Sequence, residues 1–306
     1  MPQQLGDSGF AVIDIGSNSV RMVIYDVSTP YPTQTFNEKV YCALGRDLGR
    51  TGRLNPDGIL SALKAIQGYQ FIADSQKVGR VCVVATAAVR DALDGDDFIK
   101  QVKKLTDLDI RVLSGDEEAT YAAEGVLALD PKAKGVVADF GGGSLELALI
   151  ENGVVGSTIS LPLGAFRIQS MERENQDQKI IELLLAHQDS FGAKPALYGI
   201  GGSWRALAQA QMQDIGSNHD IQGYAIPASL LIEFCRKIED MSVEEIKAQY
   251  KLEGQRANLA PVASKVLRIV LQVLGPKIFV TSTAGVRDGM VHEYLSSHLS
   301  SEPKKA

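Results

Sequence analysis

Cysteine is scarce in this chain of 306 residues: Cys42, Cys82 and Cys235 lie far apart, and none stands in a C-x-x-C pair. That pattern argues against a disulfide framework and suits a reducing cytoplasm. Histidine is nearly as rare, with four residues at no metal-type spacing. His292 and His298 read as surface residues of a helix. A basic excess is missing too: 31 Lys and Arg against 37 Asp and Glu leave a net charge of −6. This excludes a general nucleic-acid coat or a membrane-surface protein, so a polyanionic ligand would need positive charge gathered locally. No apolar run approaches the roughly eighteen residues that span a bilayer. The opening MPQQLGDSG has no basic segment followed by an apolar run, so no signal peptide is expected. GGGSLE and GIGGSW lack the third glycine of G-x-G-x-x-G, which leaves a dinucleotide fingerprint unsupported, and no G-x-x-x-x-G-K-[ST] occurs. The expectation is a soluble cytoplasmic protein with neither nucleic acid nor membrane as partner.

What is present is an ordinary globular composition, 45% hydrophobic and 22% charged, in a length that suits two domains. FAVIDIGSNSVRMVIYDV (residues 10–27) reads as a hairpin whose tip carries a carboxylate at its mouth. EKVYCALGRDLGRTGRLNPDGI then reads as a loop feeding a helix, with Asn55 as cap and Pro56 at the first helical position. A strand at 80–85 runs into a helix, another helix covers 96–105, and DIRVLSG gives a short strand. DEEATYAAEGVLAL is a helix with three acids in its first turn. After it, AKGVVADFGGGSLELALIENGVV repeats the opening hairpin. Helix, strand, glycine turn and helix follow, then an apolar helix at VASKVLRIVLQVLG, and a closing strand, turn and helix. The tail SSEPKKA is expected to be disordered. Strands alternating with helices give the α/β class, each half opening with a hairpin. The boundary is placed between 1–127 and 128–306, with a last helix at about 287–299.

The repeat organises the chain. Asp14, Gly16, Ser19 and Arg21 fall on Asp139, Gly141, Ser144 and Glu146, each 125 positions on. A second echo links ATAAVRDAL (85–93) to STAGVRDGM (282–290) and pairs Arg90 with Arg287. In a tight Asp-x-Gly-x-x-Ser turn the backbone N–H groups converge into an anion nest, and glycine is expected to supply positive φ angles and close approach. The aspartate at the strand end is placed to hold a hydrated Mg²⁺ or to position a water beside a phosphate. Two such turns facing across a cleft would make a phosphate clamp.

DIGSNSVR, ATAAVRDA, SGDEEA, DFGGGSLE, GIGGS and TAGVRDG follow one another over residues 10–290. Together they resemble the exopolyphosphatase/guanosine pentaphosphate phosphohydrolase (Ppx/GppA) family in its short, two-domain form. The resemblance implies an actin-like ATPase (ribonuclease H-like) fold: two related α/β domains with an interdomain cleft, and the last helix at about 287–299 packing back on the first domain. It implies hydrolysis of terminal phosphate from inorganic polyphosphate with Mg²⁺, leaving open K⁺ as an activator, and a homodimer as a family-level expectation. A carboxylate of SGDEEA would be the general base. The candidates are Glu117 and Glu118, and Glu117 is preferred because its 22-residue spacing to Asp139 is similar to the family's. Arg90 would stabilise developing charge. Asp14 and Asp139 would hold the metal or orient water, with Glu146 assisting. Ser17, Asn18, Ser19 and Arg21 on one side, and Gly141, Gly142, Gly143 and Ser144 on the other, would cradle phosphates. Gly201, Gly202 and Ser203 would line the phosphate channel. ALGRDL departs from the family pattern: Ala43 stands where an arginine is common, with Arg46, Arg50 and Arg53 nearby. Guanosine pentaphosphate is the alternative substrate. An actin-like nucleotide-binding regulator or filament subunit, and a small-substrate kinase, are the remaining readings.

Overall fold

Gly9–Ile15 (β1) is an almost unbroken apolar segment, and nearly all of it is buried. That is the signature of a central strand covered on both faces. The computed structural model describes residues 8–252 and 254–299, with side chains to 297. The expectations for His298 and for the tail therefore fall outside the described side chains and residues. The α/β class holds: the chain divides into one compact unit of residues up to 118 together with those from 287 on, and a second of residues 119–286.

In the first unit, β1 is followed by Ser19–Asp26 (β2), Thr33–Tyr41 (β3), Leu48–Thr51 (α1) and Pro56–Ser75 (α2). Then come Arg80–Ala85 (β4), Ala87–Asp91 (α3), Gly95–Thr106 (α4), Ile110–Val112 (β5) and Gly115–Leu129 (α5), within which the unit boundary falls. The sheet order is β3-β2-β1-β4-β5. β1 pairs antiparallel with β2 and parallel with β4. Asn55 caps α2, accepting the Gly58 N–H at 2.7 Å, and Pro56 follows it. Ala62, Ile66 and Tyr69 of α2 and Phe98 and Val102 of α4 bury against Ile13, Ile15, Val20 and Met22, forming one core. Each such large side chain contributes about 1.5–3 kcal/mol.

The second unit runs Gly135–Phe140 (β6), Leu145–Glu151 (β7), Val154–Leu161 (β8), Ala165–Gln169 (α6), Arg173–Leu185 (α7) and Gln188–Phe191 (α8). Ala196–Ile200 (β9), Gly202–Asp214 (α9), Ala225–Pro227 (β10), Ala228–Glu239 (α10), Val243–Tyr250 (α11), Gln255–Leu274 (α12) and Ile278–Thr281 (β11) complete it. Its sheet reads β8-β7-β6-β9-β11-β10. The first five strands repeat the order and the directions of the first unit, so β1 corresponds to β6, β2 to β7, β3 to β8, β4 to β9 and β5 to β11. The last helix, Val286–Leu299 (α13), belongs from Arg287 on to the first unit. Phe10 meets Tyr294 there with ring centroids 4.4 Å apart.

Three expectations change. Each opening hairpin is a three-stranded meander: β3 begins in the stretch after the hairpin and ends within the segment from Glu38 on that reads as a loop feeding a helix, and β8 extends the second copy. Both are edge strands; β3 is largely exposed and β8 buries only Leu161, so neither shows the apolar alternation that reveals a half-buried strand. The echo that pairs Arg90 with Arg287 does not follow the strand equivalence, because it joins the end of β4 to the end of β11. Finally, α12 is long and apolar enough to cross a membrane by length and composition, with 61% of that stretch buried in the fold. It serves as the core helix of its unit, its Ala263 carbonyl accepting the indole N–H of the fully buried Trp204 at 3.1 Å.

Candidate active site

Between β1 and β2 the chain reverses over Gly16–Asn18, closed by the Gly16 N–H donating to the Ser19 carbonyl at 3.0 Å. The segment after β3 then ties down the tip's carbonyls. Cys42 and Ala43 N–H both donate to Asn18 O at 3.0 and 2.9 Å, and Gly45 N–H donates to Ser17 O at 2.8 Å. In a trans peptide the N–H points opposite its carbonyl. Turning the Ser17 carbonyl into the fold therefore turns the Asn18 amide, on the same peptide, out of it. Among the described residues the N–H groups of Ser17 and Asn18 have no acceptor.

The second tip is closed in the same way, Gly141 N–H to Ser144 O at 3.0 Å. Here α6, after β8, supplies the brace. Ala165 N–H donates to Gly141 O at 3.0 Å, Phe166 N–H to Gly142 O at 2.9 Å, and Arg167 Nε to Gly143 O at 2.8 Å. The N–H groups of Gly142, Gly143 and Ser144 are left without an acceptor among the described residues. Each tip thus presents amides without an acceptor, the arrangement that characterises an anion nest. The glycines do not act as expected: none of Gly16, Gly141, Gly142 or Gly143 has positive φ. The close approach is made instead by the bracing glycines. A Cβ on Gly164 would lie 2.2 Å from Gly143 C and Ser144 N, and one on Gly45 would lie 3.0 Å from Ser17 Cβ. Leu44-Gly45 and Leu163-Gly164 are a further echo, each following the third strand of its meander, and it was available in the sequence.

The carboxylates differ. Asp14 lies opposite Arg21 in the register, and its carboxylate pairs with the Arg287 guanidinium, both side chains being largely buried (19% and 16% exposed). Burial works against the Arg287 charge, but Asp14 and then Asp288 outweigh it and raise its pKa. Arg21 itself donates to Asn37 at 2.8 Å. Asp14 is therefore engaged by a cation through a contact 273 positions away in the chain, which motif spacing does not show. Asp139 lies opposite Glu146, which is buried and accepts the Ser160 hydroxyl at 2.7 Å. Residues directly opposite share a face of the sheet. Among the described residues no group of three or more His, Cys, Asp or Glu could hold a metal. A pair of hard carboxylates nevertheless fits Mg²⁺, which takes one or two protein oxygens and completes its shell with phosphate and water.

At the start of α5 the two acids divide their tasks. Glu117 accepts the Ser114 N–H at 2.8 Å and pairs with Arg111, while its own N–H donates to Ser114 Oγ at 3.2 Å, a capping box. The Ser114 amide first, and Arg111 second, hold its carboxyl below the usual carboxylate range. Its side chain remains 41% exposed. Glu118 is buried and receives Arg90 Nη1 at 3.2 Å, and the same nitrogen donates to Leu113 O at 3.0 Å. In the second unit Gly201 has φ of +104°, and a Cβ there would lie 2.5 Å from Phe140 O. Gly202, at the N-terminus of α9, opens on free space. Around the departure at Ala43, Arg50 and Arg53 pair with Asp47 and Asp94 at 3.7 and 3.8 Å, and Arg46 is exposed.

The fold thus defines an α/β protein of two related units, each carrying a tip of acceptor-free amides beside a strand-end aspartate. The particular family follows from comparison: residues 23–298 match the Ppx/GppA phosphatase family, and the chain belongs to it. It is 26% identical over 308 residues to Exopolyphosphatase 2 of Mycobacterium tuberculosis, covering 92% of this chain and 96% of that one. It is 34% identical over 168 residues to a bifunctional 3-dehydroquinate synthase/phosphatase of Fusobacterium nucleatum, covering 52% of this chain and 25% of that protein. Among solved structures, the Aquifex aeolicus PPX-GPPA enzyme superposes with a TM-score of 0.77 at 26% identity over 93% of this chain and 99% of that one. An exopolyphosphatase from Cytophaga hutchinsonii shares the fold with a TM-score of 0.85 at 22% identity, covering 94% and 98%. The actin-like fold that the resemblance implied thus holds. Membership makes the protein a phosphatase of a family that is generally metal-dependent, and sets aside the regulator and filament readings.

Proposed function

We propose that the protein is an exopolyphosphatase that releases terminal orthophosphate from inorganic polyphosphate. The observation that carries this reading is the pair of tips, each closed by the same glycine-to-serine bond and each presenting unclaimed amides. Ser17, Asn18, Ser19 and Arg21, and Gly141, Gly142, Gly143 and Ser144, take phosphoryl oxygens, with Gly201, Gly202 and Ser203 along the chain's course. Asp139 and Glu146 hold the metal, taken to be Mg²⁺, and Asp14, fixed by Arg287, orients the first tip's ligands. A metal held there would supply Lewis-acid neutralisation of phosphoryl charge. Glu117 accepts a proton from the attacking water as its oxygen bonds to the terminal phosphorus and the P–O bond to the chain breaks in line. Glu118 and Leu113 O hold Arg90, which meets the charge developing on the transferred and leaving oxygens. A cytoplasmic homodimer acting on neither nucleic acid nor membrane, with K⁺ as an activator to be tested, completes the reading. Guanosine pentaphosphate is the lesser substrate, since the full-length mycobacterial relative is an exopolyphosphatase by name.

The test is phosphate release from polyphosphates of defined length, guanosine pentaphosphate and ATP, with and without Mg²⁺. Release from neither polyphosphate nor guanosine pentaphosphate sinks the reading. Glu117→Gln is expected to lower kcat roughly 10²- to 10⁴-fold, and full activity in that variant removes Glu117 from its role. The pH profile carries a sign. Because the Glu117 carboxyl is held below its ordinary value of 4.5, the acid limb of kcat/KM lies below that pH. Arg111→Gln removes one of the groups that lower it, so the limb moves to higher pH.

A further inference from the structure

The two tips hold their last carbonyl by different means. Asn18 O receives two backbone amides, from Cys42 and Ala43. Its counterpart 125 positions on, Gly143 O, receives the side chain of Arg167 at 2.8 Å. Arg167 sits in α6, half-buried, with Ala165 and Phe166 holding the two preceding carbonyls of the same tip. Gly164 presses against the Gly143–Ser144 peptide so closely that no Cβ fits. The peptide is planar and trans, so whatever fixes its carbonyl also fixes the Ser144 N–H on the opposite side. That N–H is one of the unclaimed donors.

We propose that Arg167 is a positioning residue for phosphate binding: through Gly143 O it aims the Ser144 amide at a phosphoryl oxygen. This inference rests on the reading of the tips as phosphate sites. A hydrogen bond from a guanidinium is charge-assisted and stronger than one from a neutral amide, so one side chain at Gly143 does what two backbone groups do at Asn18. The arrangement also polarises the peptide: a cation at the carbonyl draws electron density from the N–H and strengthens its donation to an anion. A lysine in its place would offer a point charge on a flexible stem without the planar fork.

The experiment compares wild type, Arg167→Ala and Arg167→Gln. Tripolyphosphate binding is measured calorimetrically with metal chelated, and KM and kcat for polyphosphate with Mg²⁺ present, after thermal melts establish folding. Arg167→Ala is expected to weaken tripolyphosphate binding and raise KM by roughly tenfold or more, the scale of a lost charged hydrogen bond, with kcat changed less. Arg167→Gln keeps a neutral donor and should fall between. Guanidinium at millimolar concentration should restore part of the lost affinity to Arg167→Ala. A purely structural role would lower the melting temperature, leave KM unmoved and show no response to guanidinium, and that result overturns the proposal. If Arg167→Ala does not fold, an unchanged affinity in Arg167→Gln overturns it. Wild type that binds tripolyphosphate without hydrolysing any polyphosphate sinks the enzyme reading, while the affinity comparison still decides Arg167. Wild type that does not bind tripolyphosphate overturns both.

Discussion

Asp14 faces Arg21 across the first hairpin, whereas Asp139, at the same place in the second, faces Glu146. The backbones of the two tips agree, down to the 3.0 Å closing bond, but the residue across the hairpin from each aspartate carries opposite charge. Beside Asp14 lie Arg21 and Arg287; beside Asp139 lies a buried acid locked by Ser160, with Arg167 on the far side of the tip at Gly143 O. The same turn occurs twice, and on the proposed reading the side chains at one strand register separate its uses. A cationic surround favours phosphate oxygens, while a pair of carboxylates favours a hard cation. The braces differ as well, a backbone segment in the first unit and a helix with an arginine in the second.

Breaking the braces gives the largest expected effect. In Gly164→Ala the new methyl meets backbone at 2.2 Å, and backbone on both sides of the contact is already hydrogen-bonded. Overpacking commonly costs 1–3 kcal/mol, and this site falls at about 3 kcal/mol or beyond, with activity lost. Gly45→Ala meets side-chain carbons at 3.0 and 3.3 Å, which can shift by a few tenths of an ångström. About 1 kcal/mol is expected there. Denaturant midpoints compare the two, and equal losses would show that the first brace is as tight as the second.

The charge difference makes the next prediction. Asp139→Asn should raise the Mg²⁺ concentration for half-maximal activity about tenfold, roughly the effect of removing one good ligand interaction. Asp14→Asn should leave that concentration near the wild-type value and instead strand the Arg287 charge. A lost hydrogen bond to a charged group costs about 1.5–3 kcal/mol, read from thermal unfolding. Both variants lose turnover. The comparison fails if Asp14→Asn shifts the Mg²⁺ requirement and Asp139→Asn does not.

How far the sequence reached follows from what period and spacing can encode. The two Asp-x-Gly turns were legible because buried strands flank them and the offset is constant. The edge strands were not, because TQTFNEKVY of β3 is mostly solvated and shows no alternation. Missing β3 and β8 also hid the Leu-Gly echo that follows each, and with it Arg167. The Asp14–Arg287 pair joins residues far apart in sequence, a product of α13 lying with the first unit. The echo around Arg90 misled for the opposite reason: a short local match survived without a topological counterpart. At SGDEEA the motif named two acids, and only the capping geometry distinguishes Glu117, exposed and ionised, from Glu118, buried under Arg90.

The smallest effect concerns how the first tip obtains its brace from backbone alone. To bring both the Cys42 and Ala43 amides onto Asn18 O, the chain turns through Ala43 at φ of +51°, the left-handed region. For a residue with a Cβ that conformation costs roughly 1–2 kcal/mol. Glycine would remove the cost in the fold but adds freedom to the unfolded chain, worth about 0.5–1 kcal/mol in the other direction. Ala43→Gly should therefore stabilise the protein by about 0.5 kcal/mol, seen as a small rise in melting temperature, with KM unchanged because the two amides stay on Asn18 O. The second tip needs no such twist, since Arg167 reaches Gly143 O from a helix. A glycine at position 43 that raises KM would mean that the strain itself holds the first tip in its binding shape, and the two braces would then be alike in rigidity though not in chemistry.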